Sequence, residues 1–398
     1  MDVLITAVGH RTEHWTDLFA ILARRPGLRT TVVVSDVTEL TIAGLDRVAA
    51  SSSNFTYHRL PHRMGELRTG HMASIMFRPT ALRRLPVHRP DVMHIIGEPA
   101  YLSTFQLRRL RDRRWPGTPI THYAAQNVVT SFPIPFPWLE RRAYQSIDHM
   151  LPITPAAQHV VAAKGYRGRT TIVPLGVDSE IFTPNGHNGT EISSGPDGQR
   201  RFTVGFVGRL ERYKGVESLI EVTRALDCNL LIVGRGSLED RVRQASVERP
   251  GKVELHDWVD HAKLPDLLRQ MNALILPSQG IVQRNVVPWV AIPLREQFGR
   301  VLIEAMACGV PVIGTDVGEI SHVIGPAGLV VPPDDPVALA DSLAKVRDTP
   351  GLAAELRDNG IARVARMFSW ERIADQLQSV WADVHGRSTV ASRGLEQA

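Results

Sequence analysis

Two glutamates, Glu296 and Glu304, stand eight residues apart in the stretch PLREQFGRVLIEAMACGVPVIG, which runs from Pro293 to Gly314. Phe298 and Gly299 read as a turn, and Val301 to Cys308 is a run of good helix formers that Gly309 and Pro311 end. The backbone N–H groups after Gly299 then point out of a helix start whose macrodipole is partly positive, so this end favours a phosphate or diphosphate. Glu296 precedes the helix, and Glu304 lies about one and a half turns into it. They cannot form one tight carboxylate pair and read as two grips on different hydroxyl-bearing parts of one ligand. The plainer alternative makes Glu296 a solvated loop residue and Glu304 a surface position. Against it, Glu304 is flanked by Val301, Leu302, Ile303, Ala305 and Met306, where a buried carboxylate is costly unless it has hydrogen bonds to make.

A second stretch carries cations. In GRLERYKG (208–215), Arg209 and Lys214 bracket a turn between a strand candidate and a helix. Both can reach an anion, Arg as a planar fork and Lys as a point charge. The stretch is not a Walker A loop. It is not the dinucleotide fingerprint either, because Gly205 and Gly208 lack the third glycine. Surface cations are the plain alternative; taken with the Gly299 helix start, the pair suggests a diphosphate held from two sides. Gly234-Arg235-Gly236 is another close-approach turn. His256, Asp257, Asp260 and His261 match no zinc spacing and read as a solvated turn. Asp334-Asp335 reads as a helix cap. With no other paired acids suited to a metal-diphosphate, the expected chemistry is metal-independent.

The elements that must position these groups alternate between strand and helix. In the first half the strand candidates are Val3 to Ala7, Thr31 to Val34, Val92 to Ile96, Pro119 to His122, His149 to Ile153 and Thr171 to Val173. Helices are expected over Glu13 to Arg24, Trp138 to Ser146 and Pro155 to Lys164. This is the pattern of a parallel sheet covered on both faces, where ligands gather at the carboxyl ends of strands. It singles out His10, Glu98, Gln126 and Asn127. After a Gly, Ser, Asn and Pro-rich stretch the rhythm restarts, with strands expected over Phe202 to Val207, Leu230 to Val233, Val253 to Leu255, Ala273 to Leu276, Val310 to Ile313 and Leu329 to Val331. Three closing helices are expected, near Pro336 to Arg347, Leu352 to Met367 and Trp370 to Val384. The α/β reading is therefore two doubly wound domains, residues 1–182 and 201–367. A linker spans 183–200, a C-terminal segment 368–398 crosses back, and a cleft lies between the domains.

Composition sets the bounds. The 398 residues, 43% hydrophobic and 22% charged, suit two globular domains. No apolar run approaches the roughly 18 residues of a spanning helix, and MDVLITAVG begins directly as a strand; the expected location is cytoplasmic. The sequon Asn188-Gly189-Thr190 then reads as chance. Cys228 and Cys308 are too few and too far apart for a disulfide framework. Between Arg59 and Arg114, twelve arginines face four acids, against a net charge of only +5 for the whole chain. That patch could meet an anionic acceptor, a membrane surface or nucleic acid, although a solvated face is the commoner case.

These residues carry a resemblance. VGRLERYKG (207–215), VGRGSLEDRV (233–242), EQFGRVLIEAMACGVPVIGTDVGEI (296–320), GLVVPPDDPVALADSL (328–343) and FSWERIADQL (368–377), with PLGVDSEIF (174–182), resemble a retaining glycosyltransferase of family 4 with the GT-B fold. HIIGEPAYLSTFQ (94–106) and QNVVTSFPIPFPWLERRAYQSIDHMLPIT (126–154) match more loosely. The resemblance implies two facing Rossmann-like domains and a nucleotide-diphosphate sugar donor, UDP- or GDP-linked, with no further cofactor. It implies that Arg209 and Lys214 bind and stabilise the leaving diphosphate, that Glu304 holds the ribose hydroxyls and that Glu296, with them in the catalytic set, holds the transferred sugar. The amides after Phe298 and Gly299, with Arg300, would cradle the diphosphate. The base would lie near Gly234, Gly236 and His256 to Val259. His10, Glu98, Gln126 and Asn127 would face the acceptor side.

Two departures stand out. Seventeen residues, Gln279 to Arg295, intervene where the family has a short loop, and with Trp289 among them they either shape the acceptor side or form a longer surface loop. The catalytic-looking histidine of many relatives is displaced by three positions to His122, which on a strand reverses its face; His122 then reads as a core histidine. The expected acceptor is a dedicated small molecule with a hydroxyl or thiol, as in natural product biosynthesis. A lipid or polysaccharide acceptor at a membrane, or donor binding without catalysis, are the alternatives. No nucleic acid partner is expected, membrane association is the less favoured reading, and a homo-oligomer stays open.

Overall fold

The computed structural model describes residues 1–65, 72–130, 132–184, 202–257, 259–284 and 291–396. Most of the expected linker, its sequon, Trp258 and Trp289 lie outside the described residues. The chain divides into two compact units, Met1–Pro174 with Trp370–Ala398, and Leu175–Ser369.

The first unit contains β1 (Asp2–Val8), β2 (Arg29–Ser35), β3 (Phe55–Arg59), β4 (His62–Met64), β5 (Met76–Phe77), β6 (Val92–Ile96), β7 (Ile120–Ala124), β8 (His149–Pro152) and β9 (Arg169–Thr170). Seven of them form a sheet in the order β3-β2-β1-β6-β7-β8-β9. The described pairings in that sheet are all parallel, with Leu4 opposite Met93 and Thr31, and Ile95 opposite His122. Its central strands are buried on both faces, which is why they read as near-continuous apolar runs. Leu4, Val33, Met93, Ile95, Leu107 and Met150 fill the core.

Strand β3 was not expected, because as an edge strand FTYHR buries only Phe55. The helix before it, Glu39–Ser51, starts where Thr38 accepts from the Thr41 amide. Strand β9 comes earlier than the expected Thr171 to Val173, although Thr171 and Val173 still donate to the Met150 and Pro152 carbonyls. The helix Leu102–Arg114 was hidden inside the arginine-rich stretch.

The last helix, Trp370–Glu396, runs past the expected end at Val384 and belongs to this unit. Trp370 and Trp381 are fully buried. Trp381 Nε1 donates to Thr121 Oγ1 at 3.2 Å, and Arg25 pairs with Asp375 at 2.9 Å.

The second unit contains β10 (Thr203–Val207), β11 (Asn229–Val233), β12 (Val253–His256), β13 (Ala273–Leu276), β14 (Ile281–Arg284), β15 (Ala291–Leu294), β16 (Val312–Thr315) and β17 (Gly328–Val331). Its parallel sheet has the order β12-β11-β10-β13-β16-β17. Strand β16 starts two residues later than expected. Val310 N still bonds to the Ala305 carbonyl in the left-handed helix ending at Gly309, and Pro311 has no N–H to give. The inserted Gln279 to Arg295 contains an antiparallel hairpin, β14 with β15. Cys228 and Cys308 are free and buried.

His122 is fully buried, as its strand position implied, and so is His94. His94 Nδ1 lies 2.9 Å from Thr121 Oγ1, and His122 Nδ1 lies 3.1 Å from the Tyr123 carbonyl. Burial pushes both imidazoles down to about 3. Between pH 6.5 and about 3 the unfolded chain therefore binds more protons than the fold. Their contribution is complete above pH 6.5 and is lost as pH falls, by up to about 1.4 kcal/mol per pH unit for each histidine. Denaturant midpoints measured from pH 7 to 5 should fall less steeply in His122→Phe than in the parent chain; equal slopes would contradict this account.

Candidate active site

In the second unit the turns that follow β10, β13 and β16 come together at the carboxyl ends of three adjacent strands. Gly215 takes a left-handed conformation (φ 71°), and a Cβ there would lie 2.0 Å from the Pro277 carbonyl oxygen. The Gln279 amide donates to the Tyr213 carbonyl at 2.6 Å. This clamps the Arg209 to Gly215 turn against the end of β13 and brings Lys214 to Glu296, 82 residues away. Their side chains form an ion pair, with exposures of only 13% and 15%. Ser278 Oγ donates to the same Glu296 oxygen at 3.2 Å, and Thr315 Oγ1 donates to the Ser278 carbonyl at 2.5 Å. The backbone of Glu296 is pinned too, since the Glu319 amide donates to its carbonyl at 3.1 Å beside Gly318. Glu296 is thus not the solvated loop residue of the plainer reading.

Arg209 is exposed, donates to the Tyr213 hydroxyl and lies 5.6 Å from the Tyr213 ring centre, as does Lys214. One aromatic ring therefore spaces the two cations.

The helix expected from Val301 runs over Arg300–Ala307, and its N-cap Gly299 (φ 77°) supplies no side-chain cap. The amides of the first turn keep the character of an anion site. Phe298 is buried with its ring edge-on to Phe368 at 5.7 Å, so its side chain anchors the turn. Glu304 is buried, at 4% exposure. Its Oε1 lies 2.9 Å from Arg300 Nε and 2.8 Å from His261 Nε2. His261 stands in a turn capped by Asp260, and its ring lies 4.9 Å from Phe182. His261 had read as part of a solvated turn, so its contact with Glu304 was missed; the two are 43 positions apart.

Gly234 and Gly236 pack against backbone. Gly208 N bonds to the Val233 carbonyl and Leu210 N to the Arg235 carbonyl, and a Cβ at Gly234 would lie 1.9 Å from the Gly208 oxygen. These contacts lace together the turns after β10 and β11. Val259 is half-buried just beyond β12. Arg235 pairs with Asp257 at 3.3 Å. Among the described residues no group of three or more His, Cys, Asp or Glu is placed to hold a metal ion.

In the first unit, His10, Glu98, Gln126 and Asn127 follow the carboxyl ends of the adjacent strands β1, β6 and β7. His10 is exposed at the start of a short helical turn, and Asn127 is half-buried. Glu98 Oε1 accepts from the Ala125 amide at 2.8 Å. Desolvation pushes this carboxyl up to about 7, while the Ala125 amide and Lys164 hold it down. Gln126 Oε1 accepts from Lys164 Nζ at 2.7 Å, and Lys164 pairs with Glu140 at 3.0 Å. Lys164 and Glu140 were missed because the helices that carry them follow two different strands.

Two units, each a parallel sheet alternating with helices, the second with a helix start beside cations at its strand ends, give the chain the GT-B class of fold. Residues 191–363 match the family model Glycosyl transferases group 1, so the second unit carries a domain of that group. The chain is similar to the lipopolysaccharide core biosynthesis mannosyltransferase LpsB of Rhizobium meliloti, with 29% identity over 53% of this chain and 60% of that one. It is also similar to a D-inositol 3-phosphate glycosyltransferase of Corynebacterium urealyticum, with 28% identity over 73% of this chain and 71% of that one. The match thus spans less than two thirds of the Rhizobium relative. In fold the chain resembles the UDP complex of Anabaena Alr3699/HepE, with a TM-score of 0.71, 16% identity, and 96% of this chain and 99% of that one covered.

If Gly215 serves the clamp described above, Gly215→Ala should cost about 2 kcal/mol or more. A thermal midpoint equal to that of the parent chain would refute that role.

Proposed function

We propose that this protein is a retaining glycosyltransferase of family 4, moving a sugar from a nucleotide-diphosphate sugar to a hydroxyl or thiol acceptor held by the first unit. The observation that carries the reading is the convergence of Lys214, Glu296 and the Gly299 helix start within a glycosyl transferases group 1 domain. Arg209, Lys214, Arg300 and the helix amides neutralise the diphosphate as the bond from the anomeric carbon to its oxygen breaks. Glu296 holds hydroxyls of the transferred sugar, and Glu304, oriented by Arg300 and His261, holds the ribose. The departing phosphate oxygen takes the acceptor proton, and the new bond forms on the face the diphosphate leaves. No metal is needed to offset the diphosphate charge in this scheme. UDP is the favoured nucleotide, because a similar fold binds it, and the cytoplasm is the favoured location.

A dedicated small-molecule acceptor, as in natural product biosynthesis, fits the Glu98, Gln126 and Lys164 cluster. A lipid or polysaccharide acceptor is the second reading, favoured by the acceptor named for the Rhizobium relative.

UDP-, GDP-, ADP- and dTDP-linked sugars can be screened for protection against thermal unfolding, since a bound donor raises the midpoint by mass action. With the donor found, Glu296→Ala and Lys214→Ala should each slow transfer by about 3 kcal/mol or more of transition-state stabilisation. Near-parental turnover in both, or an inverted anomeric configuration in the product, would overturn the proposal.

A further inference from the structure

Two helices of the first unit repeat one pattern on their outer faces. In Leu102–Arg114 an aromatic residue, Phe105, is followed at three and four positions by Arg108 and Arg109. In Phe136–Tyr144, Trp138 is followed at the same spacing by Arg141 and Arg142. That spacing puts each trio on one helix face. The two faces are joined, with the Phe105 and Trp138 rings 5.9 Å apart. Arg108 and Arg109 lie 5.7 and 5.4 Å from the Phe105 ring centre, and Arg142 lies 5.5 Å from that of Trp138.

Positive charge predominates on this face. Among the described residues no acidic side chain forms an ion pair with Arg109, Arg141 or Arg142, and Glu140 spends its charge on Lys164. Asp112 pairs with Arg111. Desolvation and the neighbouring Arg142, Arg111 and Arg109 charges lower the Arg108 guanidinium, with Asp112 opposing them.

The patch is apolar as well as basic. Ten large hydrophobic side chains are exposed among the described residues, and three of them fall within ten positions here: Val129 at 53%, Ile134 at 91% and Trp138 at 47%. Of these, Trp138 lies on the arginine face itself, against Phe105 and under Arg142, and Ile134 stands four positions before it in the chain.

We infer that this face docks on the surface of an anionic lipid bilayer, the arginines meeting headgroup phosphates while Trp138 and Ile134 enter the boundary below them. A small soluble anion would be satisfied by the arginines alone and gives no reason for a protruding isoleucine. Aromatic rings with a wet edge and long cationic side chains are the chemistry of a membrane interface. No helix among the described residues is long and apolar enough to cross a membrane, so the contact is peripheral. The inference is independent of the transfer reaction, because docking can be read without turnover.

The test is co-sedimentation of the whole chain with vesicles of phosphatidylcholine alone or mixed with phosphatidylglycerol. Binding should require the anionic lipid and weaken as salt is raised. Arg109→Gln with Arg141→Gln should weaken it by about thirtyfold, roughly fivefold for each arginine near the surface. The two native cysteines are buried, so an environment-sensitive fluorophore on Ile134→Cys should report an apolar shift with anionic vesicles. A Lys214→Ala chain should bind vesicles as the parent does, which separates this inference from the proposed reaction. Equal binding to both vesicle types, unchanged binding in the double variant, or binding with no shift of the fluorophore would each overturn it.

Discussion

The second unit is organised by the ion pair between Lys214 and Glu296. Removing two charges from water is costly, and their attraction offsets that cost only where geometry and further hydrogen bonds are good. Here the Ser278 hydroxyl supplies one such bond, and the Thr315 hydroxyl holds Ser278 in turn. Backbone does the rest of the positioning. The left-handed turn at Gly215 packs on the Pro277 carbonyl, and the turn at Gly318 packs on the Glu296 carbonyl. A side chain in either place would push one partner away from the other.

The same economy of backbone contacts governs the surroundings of the pair. Gly234 lets the turn after β11 lie directly on the turn after β10, so the cation-bearing loop is supported from both sides. Glu304 is held differently, by Arg300 from its own helix and by His261 from a separate turn. In the first unit a comparable cluster forms around Lys164, which bridges Gln126 and Glu140 near a Glu98 carboxyl that titrates near neutrality. Both clusters stand where carboxyl ends of parallel strands leave room for polar groups.

Much of the fold was legible because central parallel strands are buried on both faces and carry unbroken apolar runs. Strands β1, β6, β11 and β13 are of this kind. Edge strand β3 and strand β14 lack such runs, and β9 is only two residues long. Within the site, the burial of Glu304 could be inferred from its apolar neighbours along the helix. Its partner His261 could not, because nothing local marks a contact 43 positions away.

What the sequence determined by itself was local: the helix start at Gly299, the cation-bearing turn between Arg209 and Lys214, and the face of His122 on its strand. Turns, helix ends and strand alternation depend on residues a few positions apart, so their signals survive in a linear reading. Only the tertiary structure decided that Lys214 meets Glu296, that His261 meets Glu304 and that Lys164 meets Gln126. The first and last follow from strand order, since β10 lies beside β13 and β7 beside β8, which sets distant turns side by side; the second joins a turn after β12 to the helix after β13, strands that are not neighbours.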